Sequence, residues 1–240
     1  MSSLYIVMPA YNEAENIETT IQQWYKVADR IKEDGTNCKL VVANDGSKDN
    51  TYVIMQSLQK KYPDLIPLNK SNSGHGATLL YLYRYALDNN ADYVFQTDSD
   101  GQTNPDELWQ MWNCKEEYDI QIGNRYSRQD GISRMLVSFV LKMVVLLIFH
   151  EWVKDANTPF RLINGKKLSE LMEVIPDGFF LSNVAISAIA QKWNYKVGWH
   201  DISFRPRQGG VNSINMKRIV KIGWKAMGDF KQITNHLKKK

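Results

Sequence analysis

Tyr93-Val94-Phe95-Gln96-Thr97-Asp98-Ser99-Asp100-Gly101-Gln102 is the stretch from which the fold can be read. A short apolar run of strand length ends in two carboxylates one residue apart, followed by a glycine and an amide. Hard oxygen donors at the carboxyl end of a buried strand suit a divalent cation, and ligands of open α/β sheets gather outside those strand ends. An isolated Asp-x-Asp also fits a solvated turn or a helix cap, so its neighbours must decide.

Upstream, one unit of strand, loop and helix recurs. Leu4-Tyr5-Ile6-Val7-Met8 is an apolar run stopped by Pro9; a polar loop follows, then Ile17, Ile21, Trp24, Tyr25 and Ala28 at helical spacing. Lys39 to Ala43 is a second strand, Asn44 to Thr51 its turn, and Val53, Ile54 and Leu58 a helix face. Leu65 to Leu68 leads to a loop, Asn72-Ser73-Gly74-His75-Gly76-Ala77, and to a helix through Leu79, Leu82, Tyr83 and Ala86. This alternation predicts a mostly parallel sheet with helices on both faces. Right-handed crossovers then bring residues 9–13, 44–47, 74–77 and 98–102 to one edge.

Downstream, Ile120-Gln121-Ile122-Gly123 reads as a strand, and Arg125, Arg128 and Arg134 precede an apolar run from Met135 to Phe149. That run is shorter than the roughly 20 residues a helix needs to span a bilayer. Asp155 to Arg161 reads as a polar loop, Phe179 to Trp193 as a helix, and Tyr195 to Trp199 and Ile202 to Phe204 as short strands. Arg205 to Ser213 is a basic loop, and Ile214 to Ile233 a closing helix with Lys217, Lys221 and Lys225 at i, i+4 spacing.

With 240 residues, 43% of them hydrophobic, the chain can bury a sizeable core. Its net charge of +4 is uneven: residues 192–240 hold twelve Lys or Arg against Asp201 and Asp229, so this end is built to meet anions. A basic amphipathic helix there suits anionic headgroups and equally suits a solvated surface. Nothing in the first hundred residues supports nucleic-acid binding. Cys38 and Cys114 are too few for a disulfide framework, and no secretory signal precedes Leu4, which together indicate a reducing, cytoplasmic setting.

Taken in order, Val7-Met8-Pro9-Ala10-Tyr11-Asn12-Glu13, Asn44-Asp45-Gly46-Ser47 with Asp49 and Thr51, Gly74-His75-Gly76-Ala77, Asp98-Ser99-Asp100-Gly101-Gln102 with Pro105, Gly123-Asn124-Arg125-Tyr126, Ser133-Arg134, Asp155 with Phe160-Arg161, and Arg207 to Ser213 resemble the inverting family 2 glycosyltransferases. Within that family the chain is most similar to the dolichol-phosphate mannose synthase and polyprenyl-phosphate glycosyltransferase branch. The resemblance implies an α/β, Rossmann-like GT-A fold in one domain over residues 1–240, with a nucleotide-sugar half (1–124) and an acceptor-facing half (125–240). It implies that Pro9, Ala10, Tyr11 and Glu13 hold the nucleoside, that Asp45 contacts the base, and that Asp98, Ser99 and Asp100 meet the diphosphate. Mg²⁺ or Mn²⁺ would sit on Asp98 and Asp100 with Gln102 as a further ligand, Arg207 would engage the donor, and Arg125 and Arg134 the acceptor phosphate. Asp98, Asp100, Arg134 and Asp155 form the implied catalytic set.

The implied partners are a UDP- or GDP-hexose and a polyprenyl phosphate at the cytosolic membrane face, with peripheral membrane contact and no nucleic acid. A hydroxyl acceptor needs a general base, whereas a lipid phosphate arrives ionised. Gly178 to Asn183, where hydroxyl-glycosylating relatives carry a carboxylate, has none, which favours the phosphate. The alternative, transfer to a hydroxyl of a saccharide or lipid head group, keeps Asp155 and Asp177 as candidate bases. Two departures from the branch, Asn124 in place of Ser and Ser213-Ile214 in place of Ser-Lys, leave the acceptor open. His75 is given no role.

Overall fold

The computed structural model describes residues 2–125 and 132–205 together with 226, 228–231, 233 and 234; along the helix ending at Phe149 it describes the side chains of 139 and 142–149. The first half alternates as expected: β1 (Ser3–Ala10), α1 (Ile17–Glu33), β2 (Asn37–Asp45), α2 (Thr51–Gln59), β3 (Leu65–Lys70), α3 (His75–Asp88) and β4 (Tyr93–Gln96). A 3₁₀ turn (Pro105–Glu107), α4 (Leu108–Trp112), β5 (Ile120–Arg125), α5 (Ile132–Phe149), β6 (Arg161–Asn164), α6 (Gly165–Met172), α7 (Ser182–Lys192) and β7 (Val197–Ile202) follow.

The strands form one seven-stranded sheet in the order β3-β2-β1-β4-β6-β5-β7. Only β6 runs against the others: it is antiparallel to β4 and β5, while β1–β2, β1–β4, β2–β3 and β5–β7 are parallel. Pro67 is tolerated in β3 because that strand lies at the sheet edge. Both faces of the sheet are covered, so the central strands are apolar throughout and divide by period two. Leu4, Ile6 and Met8 of β1 face a core with α1, α2 and α4, whereas Tyr5 and Val7 face one with α3, α5, α6 and α7. Val41 and Ala43 of β2 follow Val7, and Leu40 and Val42 follow Ile6.

Three expectations change. Arg161, read as the end of a polar loop, opens a strand, Arg161–Asn164. The two short strands expected near the C-terminus are one strand, β7, with Phe204 joined to Thr103 by a single antiparallel bridge. The helix expected from Phe179 begins at Ser182. Of the closing helix, Ala226, Phe230 and Ile233 are buried in the α3/α5/α7 core, Phe230 standing edge-on to Phe149 at 5.4 Å. Arg128, Arg207, the Arg207–Ser213 loop and Lys217, Lys221 and Lys225 lie outside the described residues, as does the side chain of Arg134 within α5. Among the described residues, no helix is long and apolar enough to cross a membrane.

Candidate active site

Parallel packing places the carboxyl ends of β1, β2 and β4 side by side, with Ala10 registered on Asn44 and Val7 on Gln96. A cleft of about 450 Å³ opens there. Pro9, Ala10, Tyr11 and Glu13 form one wall, Asp45, Asn72, Gly74 and His75 another, and Asp98, Ser99 and Asp100 the third. Every residue expected from the first loop, the second turn and the paired aspartates lines this space, except Gln102.

The first loop is held by the second. Asn12, at φ 54, donates its N–H to Ser47 Oγ and accepts from the Lys48 N–H with its side chain. The Glu13 N–H donates to Thr51 Oγ1 and the Ala14 N–H to Asp49 Oδ2, while Asp49 Oδ1 accepts from the Thr51 N–H at 3.0 Å. Ser47, Asp49 and Thr51 are thus scaffold for the wall, each spending a side-chain oxygen on backbone donors that a loop leaves unpaired. Gly46 has φ +67, and a Cβ there would lie 2.7 Å from the Asn72 nitrogen, so only glycine allows the β3–α3 loop this close.

Asp45 is 3% exposed and heavily bonded. Its Oδ1 accepts from Lys70 Nζ at 2.7 Å and from the Ser73 N–H at 2.9 Å, and its Oδ2 accepts from the Gly74 N–H at 3.0 Å. Burial would raise its pKa, but Lys70 and the Ser73 N–H outweigh it and hold the carboxyl below the ordinary range. Asp45 is therefore a fixed carboxylate, an acceptor for a donor edge such as a base N–H.

Around the paired aspartates, the alternation of an extended strand persists past its end: Ser99 is buried while Asp98 and Asp100 are partly exposed. Ser99 donates its hydroxyl to the Pro9 carbonyl and accepts at its own carbonyl from Thr20 Oγ1, so both flanking carboxylates are turned out on a tethered backbone. Gly101 at φ +69 then reverses the chain, and the Gln102 N–H reaches back to Asp100 Oδ1 at 3.2 Å. That reversal takes Gln102 away from the cleft: it is 5% exposed, and its Nε2 donates to the Arg205 carbonyl at 2.7 Å. Gln102, expected as a further metal ligand, does not line this cleft.

Sequence reading passed over His75. Its Nε2 lies 3.0 Å from Asp98 Oδ1, and its ring lines the cleft. Burial of the ring lowers its pKa, against the pull of Asp45 and Asp100. The available signal was position, since the loop that carries it was already expected on this edge. Lys70, the cation behind Asp45, was also missed, because an apolar strand ending in Asn69-Lys70 resembles any solvated strand end.

Asp155 and Arg125 meet at the end of β5, outside the cleft lining. Arg125 Nε and Nη2 donate to the two carboxylate oxygens at 2.7 and 2.9 Å, both side chains are 9% exposed, and the guanidinium sits 5.0 Å from the Phe204 ring centre. This two-pronged, shielded pair acts as a strut between β5 and the loop before β6. The candidate base and the candidate acceptor cation are thereby bonded to one another. Beneath them Arg161, fully buried, donates to the carbonyls of Thr158, Asn183 and Ala156 and to Ser187 Oγ. Burial pushes its pKa down to about 10, which still leaves it cationic at neutral pH.

Known proteins share both the sequence pattern and the fold. The chain is 25% identical to an uncharacterised protein of Methanocaldococcus jannaschii over 227 residues, 90% of this chain and 94% of that one. It is 24% identical to the UDP-N-acetylglucosamine–dolichyl-phosphate N-acetylglucosaminyltransferase of Methanococcus voltae over 71% of this chain and 72% of that one. With the dolichyl-phosphate beta-glucosyltransferase ALG5A of Trichomonas vaginalis it shares 31% identity over 44% of this chain, and the match spans 32% of that protein. Glucosyl-3-phosphoglycerate synthase of Mycobacterium tuberculosis, solved with Mn²⁺, UDP and phosphoglyceric acid, superposes with a TM-score of 0.67 at 15% identity, covering 97% of this chain and 78% of that one. This likeness extends the GT-A fold to the present sheet. Residues 5–186 match the model of Glycosyl transferase family 2, and with that match over three quarters of its length the chain belongs to the family 2 glycosyltransferases.

Proposed function

We propose that this glycosyltransferase moves a hexose from a nucleotide-diphosphate sugar to a polyprenyl phosphate, with inversion and with Mg²⁺ or Mn²⁺. The observation that carries the donor half is the single cleft on which the first loop, Asp45, Asp98 and Asp100 converge. Asp45 and the Pro9–Glu13 wall would take the nucleoside. Asp98 and Asp100 would hold the cation: among the described residues no group of three or more His, Cys, Asp or Glu is arranged as a metal cage, and two carboxylates suit an ion that completes its shell with diphosphate oxygens and water. When bound, such an ion neutralises charge developing on the departing diphosphate.

For the acceptor half, the support is chemical. Asp155 is engaged by Arg125, and residues 178–183 carry no carboxylate, so an acceptor that arrives already ionised asks least of this chain. Two of the relatives above are named for dolichyl-phosphate acceptors. Arg134 and Arg207 would serve as clamps on acceptor and donor phosphates, and the enzyme would work as a peripheral protein at the cytosolic membrane face.

The test is a calorimetric titration of UDP and GDP sugars with and without Mn²⁺. Asp100→Ala should abolish the Mn²⁺-dependent component while leaving the fold intact, and unchanged metal-dependent binding would overturn the assignment. Turnover with extracted polyprenyl phosphate, compared with oligosaccharide acceptors, then decides the acceptor; preference for the latter would leave the donor half standing and remove the lipid phosphate.

A further inference from the structure

A second, charged groove of about 250 Å³ lies between α1 and the turn that follows the paired aspartates, and it shares no residue with the donor cleft. Lys26 and Arg30 border it from α1 and Arg205 from the opposite side, over a floor that includes Val27 and Pro105. Lys26 and Arg30 are four apart, on one helix face. The Arg30 guanidinium is stacked 4.6 Å from the Trp109 ring centre and lies 3.9 Å from Asp106, a long and exposed pair that neutralises little. Lys26 and Arg205 form no ion pair among the described residues. Three cations thus surround a small concavity with one carboxylate, Asp106, to offset them.

We infer that this groove binds a phosphate monoester, separately from the donor. Two guanidinium groups and an ammonium around a concavity of this size suit a phosphoryl dianion on a short organic stem. The groove is also wired to the cleft. The Arg205 N–H donates to the Gln102 carbonyl at 2.8 Å, Gln102 Nε2 returns a bond to the Arg205 carbonyl at 2.7 Å, and the Gln102 N–H holds Asp100 Oδ1. A ligand that fixes Arg205 therefore restrains the turn carrying Asp100, and binding in groove and cleft is coupled by one factor in both directions.

The experiment uses the full chain and calorimetry with glycerol 3-phosphate, in the absence and in the presence of saturating UDP and Mn²⁺. A parallel arm measures flotation with phosphatidic acid vesicles against phosphatidylcholine vesicles, which separates a soluble monoester from a lipid headgroup. Glycerol 3-phosphate or phosphatidic acid should bind while UDP occupies the cleft. Lys26→Ala should weaken that binding by about tenfold, the loss of one charge-assisted contact, Lys26→Arg should retain it, and Lys26→Glu should remove it. UDP affinity measured without phosphate should be the same in Lys26→Ala as in the parent. Displacement of the monoester by UDP, equal binding by Lys26→Glu, or no binding in either arm would each overturn the inference. None of these results bears on whether the donor cleft transfers sugar.

Discussion

Asp45 is fixed by Lys70 Nζ and the N–H groups of Ser73 and Gly74. Because its pKa is depressed in the folded chain, the sign of its contribution follows. The stabilisation is present above the ordinary carboxylate value of about 3.9 and is lost as pH falls below it through the folded value. In Asp45→Asn the urea midpoint should lie well below that of the parent at pH 7, and the gap should close as the pH is lowered past that range. A gap that does not change with pH would show that Lys70 does not act through charge. The place of Asp45 at a strand tip was legible in Asn44-Asp45-Gly46-Ser47, but its partner was not. Lys70 follows it by 25 residues in sequence, and only the registry of β2 on β3, which pairs Asp45 with Lys70, makes them neighbours. His75 is the same kind of case, since the bond to Asp98 depends on where α3 begins relative to β4.

At the scale of elements, the cleft walls are set by contacts between loops and helix ends. Thr51 opens α2 and is fully buried; its hydroxyl accepts from the Glu13 N–H. Thr51→Val keeps the shape and strands that N–H, and should cost about 1 to 3 kcal/mol in urea denaturation while weakening UDP binding through the loosened first loop. Full stability in this variant would mean that the two loops hold together without the bond. Gly76, in the first turn of α3, packs so closely that a Cβ would lie 2.3 Å from the Phe180 carbonyl oxygen. Backbone cannot swing aside as a side chain does, so Gly76→Ala should destabilise by about 1 to 3 kcal/mol and, by shifting His75 and Gly74, lower donor affinity as well. The strands of the first half were legible because burial on both faces leaves continuous apolar runs. Arg161-Leu162-Ile163-Asn164 escaped because it is four residues long, begins with a charge and follows a polar loop. Its antiparallel insertion registers Arg161 on Gln96 of β4 and on Ile122 of β5. Arg161 read as the end of a loop because only tertiary structure supplies its carbonyl acceptors.

Across the whole molecule, the cleft lies at one sheet edge, and three exposed large apolar side chains lie on or just after α5. Phe139, Leu147 and Trp152 are 58%, 64% and 59% exposed, large values for such residues, and Lys142 sits 5.9 Å from the Trp152 ring centre. Around α5, Leu147 lies about 80° from Phe139 and Lys142 about 60° from it on the other flank. An apolar strip with aromatic and lysine neighbours, in a chain whose last fifth is strongly basic, suits insertion into the headgroup layer of an anionic bilayer. If the proposed lipid acceptor is correct, the protein should float with vesicles containing phosphatidylserine and release as salt is raised. Replacing Phe139, Leu147 and Trp152 together by Ser should cut that partitioning by about tenfold or more and leave UDP binding unchanged, because none of the three lines the cleft. Equal partitioning of the triple variant would move the membrane contact elsewhere, and indifference to lipid charge would remove the basic segment from the interaction. Loss of turnover on vesicle-borne polyprenyl phosphate, with turnover on a short detergent-dispersed prenyl phosphate preserved, would then locate the defect in membrane docking and not in the chemistry of the cleft.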